Sequence, residues 1–266
     1  MIILCYHKIN NTKLFEQQVQ YLSKNYQILS AATFFKKIEQ GAEFSKKEML
    51  ITFDDGDMSL YTNALPVLKK YKVPAIAFVI TSLLNTHQPF WWDEIEYYTG
   101  SSEEVRRVKK IPEAERVAFL QELRAASPKQ KFIYPQLGKT QLQELEAGGI
   151  AIASHTHTHP LLNQCNPDQV LEELKTSATV LQQMQLPHWQ FFAYPNGNVT
   201  DAVKEAVKAA GYKAAFVFDH FKAKQITDPF GISRLSVTDD TPMWKLKLIL
   251  SGVHSVLVKY RKQWGI

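Results

Sequence analysis

Met49-Leu50-Ile51-Thr52-Phe53-Asp54-Asp55-Gly56 is the stretch on which the fold turns. Its first five residues form a short apolar run, the pattern of a strand buried on both faces in a parallel sheet. The run passes directly into two carboxylates and a glycine. In parallel α/β folds the loops at the strand C-termini build the active site, so Asp54 and Asp55 stand where chemistry is expected. Adjacent carboxylates repel each other, and a cation beside them relieves the repulsion. Read alone, a solvated Asp-Asp-Gly turn accounts for the same residues, the ordinary caution with a short motif.

Outward from this stretch, short apolar runs alternate with helical patterns, the sign of β/α units and a parallel sheet. Strands are expected over 2–6, 26–29, 49–53, 75–80, 150–153, 191–193, 214–218 and 232–235. Helices are expected over 15–25, 32–40, 61–71, 140–147, 167–184 and 201–210, with a mostly helical tail over 243–264. The rhythm breaks between 84 and 139, where charge and aromatics concentrate and helices are expected over 92–98 and 113–126. That segment reads as an insertion over a barrel mouth. At 266 residues, the chain fits a single α/β barrel domain over 1–266 better than an open doubly wound sheet.

The expected strand at 150–153 ends at His155-Thr156-His157-Thr158-His159-Pro160, which holds three of the eight histidines. His155 and His159, four apart, converge on one ion if the loop coils as a turn. A carboxylate then completes a two-His, one-carboxylate site with open positions for water. A lone histidine is more often structural; a cluster at a strand end is hard to explain that way. Phe191-Phe192-Ala193-Tyr194-Pro195-Asn196-Gly197 is a third strand-to-turn element. Alone it is an ordinary turn, but at a barrel rim its backbone N–H groups can serve an oxyanion.

Together, Thr52-Phe53-Asp54-Asp55-Gly56, His155-Thr156-x-x-His159-Pro160 and Tyr194-Pro195-x-Gly197 resemble the first three motifs of the polysaccharide deacetylase family of carbohydrate esterases. The resemblance implies a distorted barrel of about seven strands and metal-dependent removal of acetyl groups from N-acetylated sugars. It implies that Asp54 is the general base and that Asp55, His155 and His159 hold a divalent metal. Zinc is the expected ion, with cobalt, nickel and iron as alternatives. The backbone N–H of Asn196 would serve the oxyanion, and His157 has no family role.

Two departures stand out. The family's third motif usually opens with an arginine, where this chain has Ala193, and Arg234 on the last short strand is the candidate substitute. The family's last motif, Leu-x-x-His, supplies the general acid near the C-terminus, where this chain has only His254 after Ser251-Gly252-Val253. Leu4-Cys5-Tyr6-His7 matches it instead, at the opposite end of the chain. Because a barrel is closed, its first and last strands share one neighbourhood. This resembles the permuted arrangement of the exopolysaccharide deacetylases and makes His7 the candidate acid, or else a structural strand-end residue. Tyr194, Trp91, Trp92 and Asp93 are candidate substrate contacts. The two tryptophans either face sugar rings or pin the insertion to the barrel.

The bulk properties exclude little more. A net charge of +5 without a block of like charges argues against nucleic acid. Cys5 and Cys165, far apart, read as free thiols. No apolar run approaches the ~20 residues of a membrane span, and the N-terminal run is too short for a signal peptide. A cytoplasmic enzyme with an N-acetylated carbohydrate partner is the expectation. Two rivals stay open: an amidohydrolase-type barrel using His155-x-His157, and a non-catalytic sugar-binding protein on the same scaffold.

Overall fold

The computed structural model describes residues 1–127, 129–219 and 226–252. Seven parallel strands form its frame: β1 (Ile2–Tyr6), β3 (Glu48–Phe53), β4 (Ala75–Val79), β5 (Ile150–Ser154), β6 (Phe191–Ala193), β7 (Ala214–Phe216) and β8 (Leu235–Ser236). A two-residue strand, β2 (Gln27–Ile28), pairs with the start of β3. The order is β7-β6-β5-β4-β3-β1-β8, parallel at every pairing. The two ends of this order meet. Ile232 bridges Phe216 of β7, and three residues on Leu235 pairs with Leu4 of β1. The segment around β8 therefore closes the sheet into a barrel, and the first strand of the chain lies beside the last.

The strands' period of two divides their side chains into two sets. Ile3, Leu50, Ile76, Phe78, Ala153, Ala193 and Phe216 pack together inside the barrel. Leu4, Tyr6, Ile51, Phe53, Ala77 and Ile152 face outward and pack with α1 (Thr12–Asn25), α3 (Leu65–Tyr71) and α7 (Lys139–Ala147). Buried on both faces, these strands carry the unbroken apolar runs that made them legible.

The remaining helices are α2 (Ala31–Glu39), α4 (Trp91–Thr99), α5 (Ser102–Val108), α6 (Glu113–Ala126), α8 (Pro167–Gln183), α9 (Asp201–Ala209) and α10 (Met243–Ser251). Three boundaries differ from expectation for identifiable reasons. The helix expected over 61–71 begins as a π-helical turn over Leu60–Ala64 and becomes α-helical at Leu65. Helix α5 was not anticipated: at seven residues, it is too short for a clear 3.6-residue period. The strand expected over 232–235 is split between the bridge at Ile232 and β8, with Arg234 between them. The tail beyond 252, including His254, lies outside the described residues. Among those described, no helix is long and apolar enough to cross a membrane.

Candidate active site

Asp54, Asp55, His155 and His159 meet at the C-terminal rim of the barrel, at the ends of β3 and β5, around a cavity of about 180 Å3. The backbone is forced into place there. Seven non-glycine residues among those described take a positive φ, and four of them are Asp55, Thr156, His159 and Asn196, all at this rim. Each such residue costs of order 1–3 kcal/mol, a strain that collects at functional sites. The glycines beside them are constrained as well. Gly197 has φ +71, and a Cβ on it would lie 2.5 Å from the backbone nitrogen of Phe218.

The Nε2 atoms of His155 and His159 each lie 3.5 Å from Asp55 Oδ1. One donor atom from each of the three residues falls within 4.8 Å of the others, the spacing of ligands around a common ion. His155 Nδ1 donates to the Ala193 carbonyl at 2.8 Å, a bond that orients the ring with Nε2 toward Asp55. His159 is buried, and burial together with neighbouring His155 pushes its pKa down to about 3, so it stands neutral as a ligand must. Burial alone would lower the pKa of His155 too, but Asp54 and Asp55 outweigh it and raise the value. Glu173 of α8 steadies the loop by accepting the N–H groups of His157 and Thr158, both at 2.8 Å.

Asp54 has different surroundings. Arg234, 0% exposed, grips it with two parallel bonds, Nη1 to Oδ1 at 2.6 Å and Nη2 to Oδ2 at 2.8 Å. Arg234 Nε also donates to the Val217 carbonyl at 3.1 Å, and the guanidinium lies over the rings of Phe78 and Phe216. Burial favours the neutral acid, but Arg234 and then His155 outweigh it and hold Asp54 well below the usual carboxylate range. Ala193 faces the same barrel interior, so the guanidinium enters from the closing strand where the resemblance expected it from β6.

His7 follows β1 and lines the cavity, with its ring 5.7 Å from that of Phe218. Strand β1 is hydrogen-bonded to β3, and Asp54 N donates to Tyr6 O at 2.9 Å, so His7 and Asp54 leave adjacent strands. Asn196 also lines the cavity, with φ 57 and ψ 6.

Three expected substrate contacts are placed elsewhere. Tyr194 is 0% exposed, packs among Leu174, Phe192 and Val203, and donates its hydroxyl to Phe230 O. The reason is the strand period: Ala193 faces inward, so Phe192 and Tyr194 face the helices. Asp93 is held by Lys8 at 2.5 Å and is absent from the cavity wall. Trp91 is 7% exposed and donates its indole N–H to His159 O at 3.1 Å, so it pins the start of α4 to the histidine loop. Trp92 alone of the four lines the cavity, its ring 4.6 Å from that of His159. His157 turns away from the cluster toward Thr81 Oγ1, 2.9 Å from its Nδ1, which disfavours the His155-x-His157 pair. Cys5 and Cys165 are both free.

Sequence reasoning missed Lys109 and Val105, which line the cavity from α5 and its C-terminal end. Lys109 Nζ donates to Asn196 Oδ1 at 3.3 Å. Neither residue belongs to a motif, so nothing local marked them.

A closed parallel barrel with a two-histidine, one-carboxylate cluster at its C-terminal rim defines the class of barrel enzymes with a candidate metal centre. The sequence pattern of the polysaccharide deacetylases matches residues 41–215, and the chain belongs to that family. It is 27% identical over 236 residues to the poly-beta-1,6-N-acetyl-D-glucosamine N-deacetylase of Staphylococcus epidermidis, an alignment spanning 85% of this chain and 67% of that one. Against the enzyme of the same name from Staphylococcus aureus it is 26% identical over 237 residues, again 85% and 67% of the two chains. Among solved structures, the Streptococcus pyogenes deacetylase PplD in complex with acetate superposes with a TM-score of 0.70 at 23% identity, covering 94% of this chain and 97% of that one. IcaB from Ammonifex degensii gives 0.67 at 20% identity, covering 94% and 96%. These two establish the likeness of fold.

Proposed function

We propose that the chain is one catalytic domain, with 84–139 as an insertion, that hydrolyses the acetamide of N-acetylglucosamine units in a poly- or oligosaccharide and releases acetate. The observation that carries this reading is the division of labour between adjacent carboxylates. Asp54 is locked by Arg234 and Asp55 is left to two histidines.

Asp55, His155 and His159 are the residues that would hold the cation. One carboxylate oxygen and two neutral imidazole nitrogens fit a zinc site that keeps positions open. A cation bound there supplies Lewis-acid activation of water and of the acetyl carbonyl. Asp54, ionised and oriented by Arg234, accepts the proton of the attacking water. The Asn196 N–H donates to the oxyanion as the carbonyl carbon becomes tetrahedral. His7 delivers a proton to the departing sugar nitrogen, so the C–N bond breaks to a neutral amine. Water and acetamide become acetic acid, which ionises to acetate, and amine; Asp54 gains one proton and His7 loses one, and passing that proton from Asp54 back to His7 resets the site.

The test is acetate release from β-1,6-linked N-acetylglucosamine oligomers, with zinc added and with chelator. Release that chelator abolishes and zinc restores is expected. Oligomer binding without release under any metal would instead establish the non-catalytic sugar-binding protein.

His7→Ala separates the acid role from a structural one. The variant is expected to slow N-acetyl sugars by about 10²–10⁴-fold. An activated acetyl ester, whose leaving group hardly needs a proton, should lose far less. Equal losses on both substrates would make His7 a structural residue.

A further inference from the structure

The histidine loop over 155–159 cannot hold its shape by itself. Two of its residues take a positive φ, Thr156 at 69 and His159 at 59, a conformation that side chains other than glycine adopt only at a cost. The barrel secures one side of the loop. Thr81 N donates to Thr156 O at 3.2 Å, and Ser82 N donates to His157 O at 2.9 Å. Inside the loop, His159 N donates to Thr156 Oγ1 at 3.0 Å. The N–H groups of His157 and Thr158 remain, and α8 takes both.

Three bonds converge there on one carboxylate. Glu173 Oε2 accepts the N–H groups of His157 and Thr158, each at 2.8 Å, and Oε1 accepts the Thr158 hydroxyl at 2.6 Å. Of the loop's partners named here, Glu173 alone is charged, and bonds to an ionised acceptor are about twice as strong as neutral ones. The carboxylate is placed by a fixed helix. Leu174 beside it is 0% exposed, and Ser177, one turn on, has its hydroxyl 2.8 Å from that of Ser154 at the end of β5. Yet Glu173 neither lines the cavity nor belongs to the three-donor cluster.

We infer that Glu173 is a positioning residue of the metal centre, which holds the turn that brings His155 and His159 onto Asp55 and thereby sets the affinity for the cation. The inference rests on the reading of Asp55, His155 and His159 as ligands. Residues four apart converge on one ion only while the loop keeps this turn. A loop released from α8 spends part of its time in other shapes, and the apparent affinity falls by the fraction of time the competent shape is lost.

The dissociation constant for zinc is measured on the metal-stripped full chain by competition with a chromophoric chelator. Glu173→Ala, which removes all three acceptor contacts, is expected to bind zinc roughly 10–100-fold more weakly, the usual effect of losing a partner that orients metal ligands. Glu173→Gln keeps one acceptor oxygen and loses the charge, so its affinity should fall between alanine and wild type. Glu172→Ala is the control. Its carboxylate is exposed and bonds Thr176 on its own helix, so affinity should be unchanged. Denaturant unfolding with chelator present shows whether each variant folds. A lower unfolding midpoint in Glu173→Ala with wild-type zinc affinity would make Glu173 a merely structural residue and overturn the inference, as would an equal loss of affinity in Glu172→Ala. If Glu173→Ala does not fold, Glu173→Gln decides, and wild-type affinity in that variant overturns the inference. A wild-type chain that binds neither zinc, cobalt nor nickel would overturn the metal centre itself, and this inference with it.

Discussion

His159→Ala is expected to purify without stoichiometric metal and without measurable acetate release, whereas Asp54→Asn keeps the metal and loses about 10²–10⁴-fold of turnover. The contrast follows from the geometry. His159 Nε2 is one of two imidazole nitrogens 3.5 Å from Asp55 Oδ1, and its removal leaves one nitrogen and one oxygen. Two donors are too few for a site that ordinarily takes three protein ligands. Asp54 gives both its oxygens to Arg234; asparagine keeps the size of the side chain and one of those two acceptors while removing the base, and it leaves the metal-facing Asp55 untouched. His157→Ala is the internal control. Its ring bonds Thr81 outside the cluster, so metal content should be unchanged. Metal analysis of the purified variants, paired with acetate release, checks all three. Loss of metal from His157→Ala and its retention by His159→Ala would reverse the ligand assignment.

Arg234→Leu is expected to destabilise the fold by about 3–5 kcal/mol near neutral pH, since it strands a buried carboxylate without its partner. Arg234 is 0% exposed and Asp54 3%, and leucine removes both charged donors from that carboxylate. The pH dependence has a definite sign. In the wild type, Arg234 depresses the folded pKa of Asp54 below its unfolded value of about 3.9. The stability this contributes is therefore fully present above about pH 4 and is lost as pH falls through the folded pKa. In the variant, burial acts with less opposition and raises the folded pKa, so the penalty is largest at neutral pH. The gap between the two proteins should narrow on acidification, as Asp54 becomes neutral in both. Denaturant unfolding across that range, with chelator present so that cation binding does not enter, measures the gap. A gap independent of pH would mean that Arg234 matters through packing alone.

Both predictions depend on neighbours far apart in the chain, and that separation marks the boundary of what could be read locally. The apolar runs at 2–6, 49–53, 75–80 and 150–153 were legible because strands buried on both faces carry no alternation to confuse them. The donors followed from position, since Asp54, Asp55, His155 and His159 come directly after those runs. Tyr194 was misplaced although the signal was present: with Ala193 inward, the period of two sends Tyr194 outward.

By itself, then, the sequence determined the parallel barrel, the rim at which its chemistry gathers and the residue types gathered there, because each depends on a local pattern or a short motif. Tertiary structure alone decided which tryptophan pins and which lines the cavity, that Asp93 belongs to Lys8, and that Lys109 and Val105 reach the site. These outcomes depend on how α4, α5 and α6 settle against the rim, and no spacing within 84–139 encodes that. Closure of the barrel is the clearest case. It brings Arg234 within 2.6 Å of Asp54 across 180 residues of chain and sets His7 beside the same carboxylate. A sequence is linear and a closed sheet is not, so residues from opposite ends become neighbours only when the last strand meets the first.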